Sequence, residues 1–155
     1  MKVDRSSVLF FDASCLIAAA GSPSGGSGFL LYLCASGKLR GAVSQAVLLE
    51  AERNIRNKLP AQASVNFEQT LLTVPLIMAP IPEVSTQDKA RWGVTDKDQH
   101  VVSAALAIAC PYIITLDRGL ADQINQAELP VQALSPGNFI KQVLPSHPDF
   151  PTIRE

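Results

Sequence analysis

The chain has 155 residues, of which 47% are hydrophobic and 17% charged, and its formal net charge is −1. This length and composition predict one folded domain with a sizeable core and exclude a disordered chain. The charge excludes a globally basic polyanion-binding protein, so any contact with nucleic acid requires a local basic patch.

The N-terminal segment has two basic residues, Lys2 and Arg5, before a mostly apolar run over residues 8–20. Asp12 interrupts that run with a charge, so we predict a folded segment in place of a signal peptide. No run reaches the roughly 20 apolar residues that span a bilayer. The three dispersed cysteines favour buried, reduced thiols in a cytoplasmic protein, and the two dispersed histidines are too few for a zinc site.

Apolar runs alternate with helical patterns along the chain. Short continuous apolar runs are typical of buried strands, and apolar residues spaced by three or four indicate helices. The predicted strands are residues 8–11, 39–43, 112–116 and 131–134. The predicted helices are residues 13–20, 29–34, 45–59, 62–73, 86–92, 95–110, 118–126 and a last helix that begins at Pro136. This alternation predicts an α/β fold with helices on both faces of a central, mostly parallel, twisted sheet.

Two proline-rich stretches are expected outside regular structure. Residues 74–84 contain three prolines and predict an irregular extended segment. Residues 145–155 contain three more prolines and predict a loosely packed tail. We therefore predict a single domain over residues 1–144, followed by a C-terminal tail over residues 145–155.

Four acidic residues lie where one predicted element meets the next. Asp12 and Asp117 each follow an apolar strand, Asp98 opens a helix, and Glu50 lies in the helix after the second strand. Ligands of open α/β sheets bind at the carboxyl ends of the strands, so we expect these side chains to converge there. Clustered carboxylates repel each other and normally need a cation, which indicates a metal-dependent site.

Each acid also has a structural interpretation. Asp12 could end a strand and cap the following helix, although its place after four apolar residues favours a functional role. Asp117 could be a turn residue before Gly119, and Asp98 could be the third residue of a capping box begun by Thr95, or Asp96 the cap itself. Glu50 lies off the apolar stripe of its helix, where a solvated helix face is the alternative and Glu52 is the competing carboxylate.

Five short motifs follow one another from Val8 to about Leu144. They are Phe11-Asp12-Ala13-Ser14-Cys15-Leu16-Ile17, Val43-Ser44-Gln45-Ala46-Val47-Leu48-Leu49-Glu50, Asp96-Lys97-Asp98-Gln99-His100-Val101-Val102-Ser103-Ala104-Ala105, Ile114-Thr115-Leu116-Asp117-Arg118-Gly119-Leu120 and Leu134-Ser135-Pro136-Gly137-Asn138-Phe139. Their order and spacing resemble those of the PIN-domain nucleases, which include the VapC-type toxins of bacterial toxin–antitoxin pairs.

The resemblance implies a three-layer α/β/α fold and an endoribonuclease that hydrolyses RNA phosphodiester bonds with Mg²⁺ or Mn²⁺. It assigns metal binding and catalysis to Asp12, Glu50, Asp98 and Asp117, with Asp96 as a substitute ligand. The implied partners are an RNA substrate, an antitoxin protein and a second copy of the chain, with no membrane.

The surrounding residues suggest supporting roles. Ser14 and Thr115 match hydroxyl positions near the acids of the family and are expected to orient them by hydrogen bonds. Arg53, Arg56 and Arg118 are candidates for binding RNA phosphates.

Two other functions stay open on the sequence. One is a PIN scaffold that binds RNA or protein without catalysis. The other is an aspartate-based phosphotransfer or phosphatase domain, for which the start Phe10-Phe11-Asp12 is typical, although the second Asp of the dehalogenase-type motif is missing.

Overall fold

A parallel β-sheet runs through the centre of the protein, whose computed structural model describes residues 2–81 and 86–153, with the backbone alone for residues 86–88. In these residues the strands are β1 Val8–Phe11, β2 Arg40–Val43, β3 Leu76–Met78, β4 Tyr112–Ile114 and β5 Gln132–Leu134. They lie in the order β3-β2-β1-β4-β5, and every neighbouring pair is parallel. The central strands β1 and β4 are apolar and largely buried because helices cover both of their faces.

Helices connect the strands. They are α1 Ala13–Gly21, α2 Gly26–Ala35, α3 Gln45–Lys58, α4 Ala61–Thr73, α5 Thr86–Arg91, α6 Gln99–Ala107, α7 Arg118–Gln126 and α8 Pro136–Gln142. The chain adds β2 and β3 on one side of β1, and β4 and β5 on the other. Because parallel crossovers are right-handed, this change of direction puts the connecting helices on opposite faces. The predicted three-layer α/β/α fold is confirmed.

The proline-rich stretch over residues 74–84 contains a strand, so the prediction of an irregular segment is wrong for residues 76–78. There, β3 pairs in parallel with β2. Pro75 and Pro80 flank the strand, and an edge strand needs backbone donors on one side alone, so the prolines do not prevent pairing. Residues 82–84 of the stretch lie outside the described residues.

The cysteines agree with the prediction. Cys15, Cys34 and Cys110 are free and buried. Burial raises the pKa of the first two thiols to about 12 and that of Cys110 to about 11, so all three stay protonated near neutral pH. Among the helices of the described residues, none is long and apolar enough to cross a membrane.

The C-terminal tail is packed, and the prediction of a loose tail is wrong for residues 145–153. The tail forms two 3₁₀ turns, Leu144–Ser146 and Phe150–Thr152. The His147 side chain is 3% exposed, and its Nε2 lies 2.6 Å from a backbone carbonyl in the α2–β2 connection. Ile153 is also buried. The tail therefore closes the core, and the proposed domain boundary at residue 144 stays a prediction.

The two ends of the chain are joined by polar contacts. The backbone N–H of Val3 donates to Ser146 Oγ at 2.9 Å. Asp149 Oδ2 accepts from Arg5 Nε at 2.7 Å and from Lys38 Nζ at 3.3 Å. One carboxylate thus holds the tail against both the N-terminal segment and the loop before β2.

We predict that Asp149→Asn lowers the free energy of unfolding near neutral pH. Hydrogen bonds from Arg5 and Lys38 hold the pKa of Asp149 below its ordinary value of 3.8. A carboxyl group with a lowered pKa stabilises the fold above its ordinary pKa and loses this contribution as the pH falls through its folded-state pKa. Urea unfolding should therefore show a stability gap between variant and wild type at neutral pH that closes in acid. Asp122→Asn, at an exposed position of α7, is the control; a gap of constant size at both pH values would contradict the prediction.

Candidate active site

The site lies where the strand order changes direction. The chain leaves β1 towards β2 on one side and later places β4 on the other side of β1. In open α/β sheets, ligands bind outside the carboxyl ends of the strands at such a point. Asp12 follows β1 directly, and Thr115 follows β4 directly. The backbone N–H of Asp12 donates to the Ile114 carbonyl at 3.0 Å, so the two strand ends are in contact.

Asp12 is the most buried of the candidate acids, at 7% exposure. Its Oδ2 accepts hydrogen bonds from Ser14 Oγ at 2.9 Å and from Thr115 Oγ1 at 2.8 Å. These bonds turn the carboxylate away from the N–H groups that begin α1, so it does not act as a helix cap. In the described part of the chain no hydrogen bond reaches Oδ1, which leaves this oxygen for a ligand in the cleft.

The same two hydroxyls also bind the loop after β4. Ser14 Oγ accepts from the backbone N–H of Leu116 at 3.0 Å, and Thr115 Oγ1 accepts from that of Asp117 at 3.1 Å. Each hydroxyl therefore donates to Asp12 and accepts from the backbone. The structure places both predicted hydroxyls on Asp12, where they fix its position relative to Asp117.

Asp98 lies within electrostatic reach of the other two acids. Burial is the main reason that its pKa is raised; the charges of Asp12 and Asp117 raise it further, and Lys97 and His100 oppose them. In the described residues the Asp98 carboxylate forms no cap hydrogen bond to α6, so the capping-box interpretation is not what the structure shows. Three carboxylates thus share one region of negative potential.

Asp117 is exposed and has a structural role as well. Its Oδ1 accepts from the backbone N–H of Leu120 at 3.1 Å, which caps α7. The turn-residue interpretation and the site interpretation therefore coexist, because the cap occupies one oxygen of the carboxylate.

Glu50 is half-buried on α3, and the structure does not join it to the other three acids. Its described contact is through the backbone carbonyl, which accepts from Asn54 Nδ2 at 2.8 Å. The competing carboxylate, Glu52, forms a surface ion pair with Arg56 one turn away. The pair favours Glu50 over Glu52 as the acid free to face the cleft, and the role of Glu50 stays a prediction.

Asp96, the substitute ligand, is exposed, and its Oδ1 accepts from Gln99 Nε2 at 3.2 Å. Because this bond engages Asp96, Asp98 is the better candidate of the two for binding a metal ion. His100 was considered on the sequence only as a zinc ligand, yet it lies close enough to lower the pKa of Asp98. The sequence could have indicated this proximity, because His100 stands only two residues after Asp98.

The candidate phosphate-binding arginines divide into two groups. Arg118 and Thr115 line the same cavity, of about 660 Å³, which places this arginine beside the site. Arg53 and Arg56 are exposed on α3, and Arg56 is engaged by Glu52. The structure therefore brings Arg118 to the acids and leaves the other two on a helix surface.

The donor set fits a hard divalent cation. Among the described residues no three His, Cys, Asp or Glu side chains form a ready-made metal cluster. Mg²⁺ typically keeps several waters and takes one or two protein carboxylates, so a complete protein cage is not required. Hydrogen bonds hold the Asp12 carboxylate in one orientation, and Asp98 lies near enough to Asp12 for the two charges to interact.

Similar proteins have the same fold. The fold matches a crystal structure of VapBC2 from Rickettsia felis bound to a DNA fragment from its promoter. The TM-score is 0.57 and the sequence identity 14%, over 83% of this chain and 98% of that one. PAE2754 from Pyrobaculum aerophilum matches with a TM-score of 0.52 and 18% sequence identity, over 82% of this chain and 83% of that one. A third match is VapC20 from Mycobacterium tuberculosis, described as a sarcin-ricin loop cleaving toxin. Its TM-score is 0.50 and its sequence identity 16%, over 80% of this chain and 98% of that one.

A comparison with curated protein sequences gave no match. The family model of the PIN domain matches residues 8–119, which extend from the start of β1 to the first turn of α7 and include all four candidate acids. Because this match covers most of the chain, the protein belongs to the PIN-domain family.

Proposed function

We propose that the protein is a metal-dependent endoribonuclease that hydrolyses phosphodiester bonds in RNA. The observation that supports this proposal most is that Thr115 joins the Asp12 carboxylate to the backbone of Asp117 at the carboxyl edge of the sheet, with Asp98 near enough for both charges to raise its pKa. Membership of the PIN family supports a nuclease role, and one protein of the same fold is described as an RNA-loop-cleaving toxin. The family match also favours this function over an aspartate-based phosphotransfer domain.

Each acid has a part in the proposed chemistry. Asp12 and Asp98 would hold Mg²⁺ or Mn²⁺, with Asp117 and Glu50 completing the acidic set. A divalent cation held there would neutralise phosphate charge and lower the pKa of a water that attacks phosphorus. The two hydroxyls on Asp12 keep its carboxylate in one orientation before substrate arrives, so that less reorganisation is needed during the reaction.

Arg118 would bind a phosphate that flanks the scissile one. Arg118 and Thr115 line the same cavity beside the site. A cation there offsets the repulsion between the acids and the RNA backbone, which the net charge of −1 does not offset globally.

We predict that Asp12→Asn lowers the rate of RNA cleavage by about a hundredfold or more, because the substitution removes one charge from the metal site. Structured RNAs are incubated with the protein and Mg²⁺ or Mn²⁺, then with chelator, and then with metal restored. Wild-type cleavage should stop with chelator and return with metal. The fold of the variant should be retained, since Asn still accepts the two hydroxyl hydrogen bonds.

Glu68→Gln, at an exposed position of α4 outside the cavity that Arg118 lines, is the matched control and should cleave like the wild type. Equal cleavage by Asp12→Asn and wild type would contradict the proposed site. RNA that binds without cleavage in the presence of every divalent metal tried would favour the non-catalytic PIN scaffold.

We predict that Thr115→Val lowers activity by about ten- to a hundredfold, while Thr115→Ser restores most of it. Val keeps the shape but loses the hydroxyl that binds Asp12 Oδ2 and the backbone N–H of Asp117, whereas Ser keeps both bonds. Cleavage rates and metal titrations of the two variants give the measurement. A similar loss in both variants would show that the methyl group of Thr115 matters, and not the orientation of Asp12.

We also propose that the protein acts in the cytoplasm as the toxin of a toxin–antitoxin pair and forms a homodimer. A solved structure of the same fold contains VapBC2 with promoter DNA. Exposed apolar side chains, Tyr32 on α2 and Leu71 and Leu72 on α4, provide surface for a protein partner.

This role predicts growth arrest on expression of the wild type, no arrest with Asp12→Asn, and rescue when an antitoxin that binds the protein is co-expressed. Light scattering should give the mass of two chains. Normal growth together with a monomeric mass would contradict both parts of the proposal.

A further inference from the structure

A small cavity lies beside Asp98, separate from the larger cavity that Arg118 lines. It has a volume of about 130 Å³, between the end of β3 and the helices α5 and α6. The lining residues that matter here are Pro80, Ile81, Lys89, His100, Ser103 and Ala104. His100 follows Asp98 by two residues and affects its pKa, so the cavity borders the acidic site.

Two polar atoms, on two residues that line this cavity, have no hydrogen-bond partner among the described residues. They are His100 Nδ1 and Ser103 Oγ, and both are buried. Ser103 is 6% exposed. The two residues are three positions apart on α6 and share one face of the helix. Buried polar groups are nearly always paired, so two unpaired ones in a single wall indicate a ligand with complementary polar atoms.

The size and composition of the cavity restrict that ligand. Pro80, Ile81 and Ala104 supply apolar walls, and Lys89 supplies a positive charge. An apolar protein cavity of about 150 Å³ accepts benzene, so a cavity of about 130 Å³ suits one six-membered ring. Ligand sites for whole small molecules are larger, roughly 300–1,000 Å³. The ligand is therefore one flat ring of a larger molecule, with polar atoms on its edge and a negative charge nearby.

We propose that this cavity binds the pyrimidine base of an RNA nucleotide next to the scissile phosphate. The inference rests on the proposed ribonuclease function and adds the base specificity of the same site. Ser103 Oγ and His100 Nδ1 would pair with the polar edge of the base. Both atoms are buried without ligand, so each side chain would turn, Ser103 about its Cα–Cβ bond and His100 about its Cβ–Cγ bond, to reach the base. The ammonium of Lys89 would pair with the adjoining phosphate. A two-ring purine exceeds the cavity, so cytosine or uracil is favoured.

The test compares Ser103→Ala with Ser64→Ala, which removes the same hydroxyl from α4, a helix away from the cavity. An RNA library with random sequence is cleaved by each protein, and the cut sites are sequenced. The wild type and Ser64→Ala should prefer a pyrimidine at one position beside the cut. Ser103→Ala should reduce that preference about two- to tenfold, the discrimination expected of one hydrogen bond.

A binding measurement separates this inference from the ribonuclease proposal. Short oligocytidine, oligouridine and oligoadenosine RNAs are titrated into Asp12→Asn, with and without Ser103→Ala, by fluorescence anisotropy in Mg²⁺. Pyrimidine preference that falls with Ser103→Ala supports the subsite even if the wild type fails to cleave RNA. Three results would overturn the proposed subsite, whatever the outcome of the cleavage assay. They are a preference for oligoadenosine, equal binding of all three RNAs, and a pyrimidine preference that Ser103→Ala leaves unchanged.

Discussion

The hydroxyls of Ser14 and Thr115 both donate to one oxygen of Asp12, and the geometry of the site depends on this contact. The three residues come from two turns that follow adjacent parallel strands, β1 and β4. Each hydroxyl also accepts a backbone N–H from the loop that leads to Asp117. The carboxylate, the loop and the first turns of α1 and α7 are therefore held as one unit. Buried polar networks with satisfied partners are rigid, and a site that binds a cation benefits from that rigidity.

The same unit concentrates negative charge. Asp98 lies on a third element, and its pKa is raised mainly by burial and further by the charges of Asp12 and Asp117. Without a cation this arrangement costs folding free energy, because like charges are held together in a partly dry cleft. A divalent cation offsets that cost. Stability without metal is therefore reduced by the same residues that are proposed to carry out catalysis.

The central strands and the edge strand β5 were readable from the sequence, whereas the other edge strand and the C-terminal tail were not. Continuous apolar runs predicted β1 and β4, because central parallel strands are covered on both faces. The edge strand β3 was missed, since its three residues are half-buried or exposed and prolines stand on either side. The packed tail was missed because its order comes from distant partners: Asp149 binds Arg5 and Lys38. Such contacts have no periodic signature along the chain.

The sequence by itself determined the family, the order of the elements and the acids that lie at strand ends, because these depend on local pattern and spacing. It could not show which of those acids lie together. Asp12 and the loop to Asp117 are in contact because β1 and β4 are neighbours in space although about a hundred residues apart in sequence. Likewise, only the tertiary structure leaves buried polar atoms of His100 and Ser103 without partners among the described residues and places both residues at a cavity near Asp98. Which polar groups are satisfied depends on packing across the whole fold, and that information is not local to any one segment.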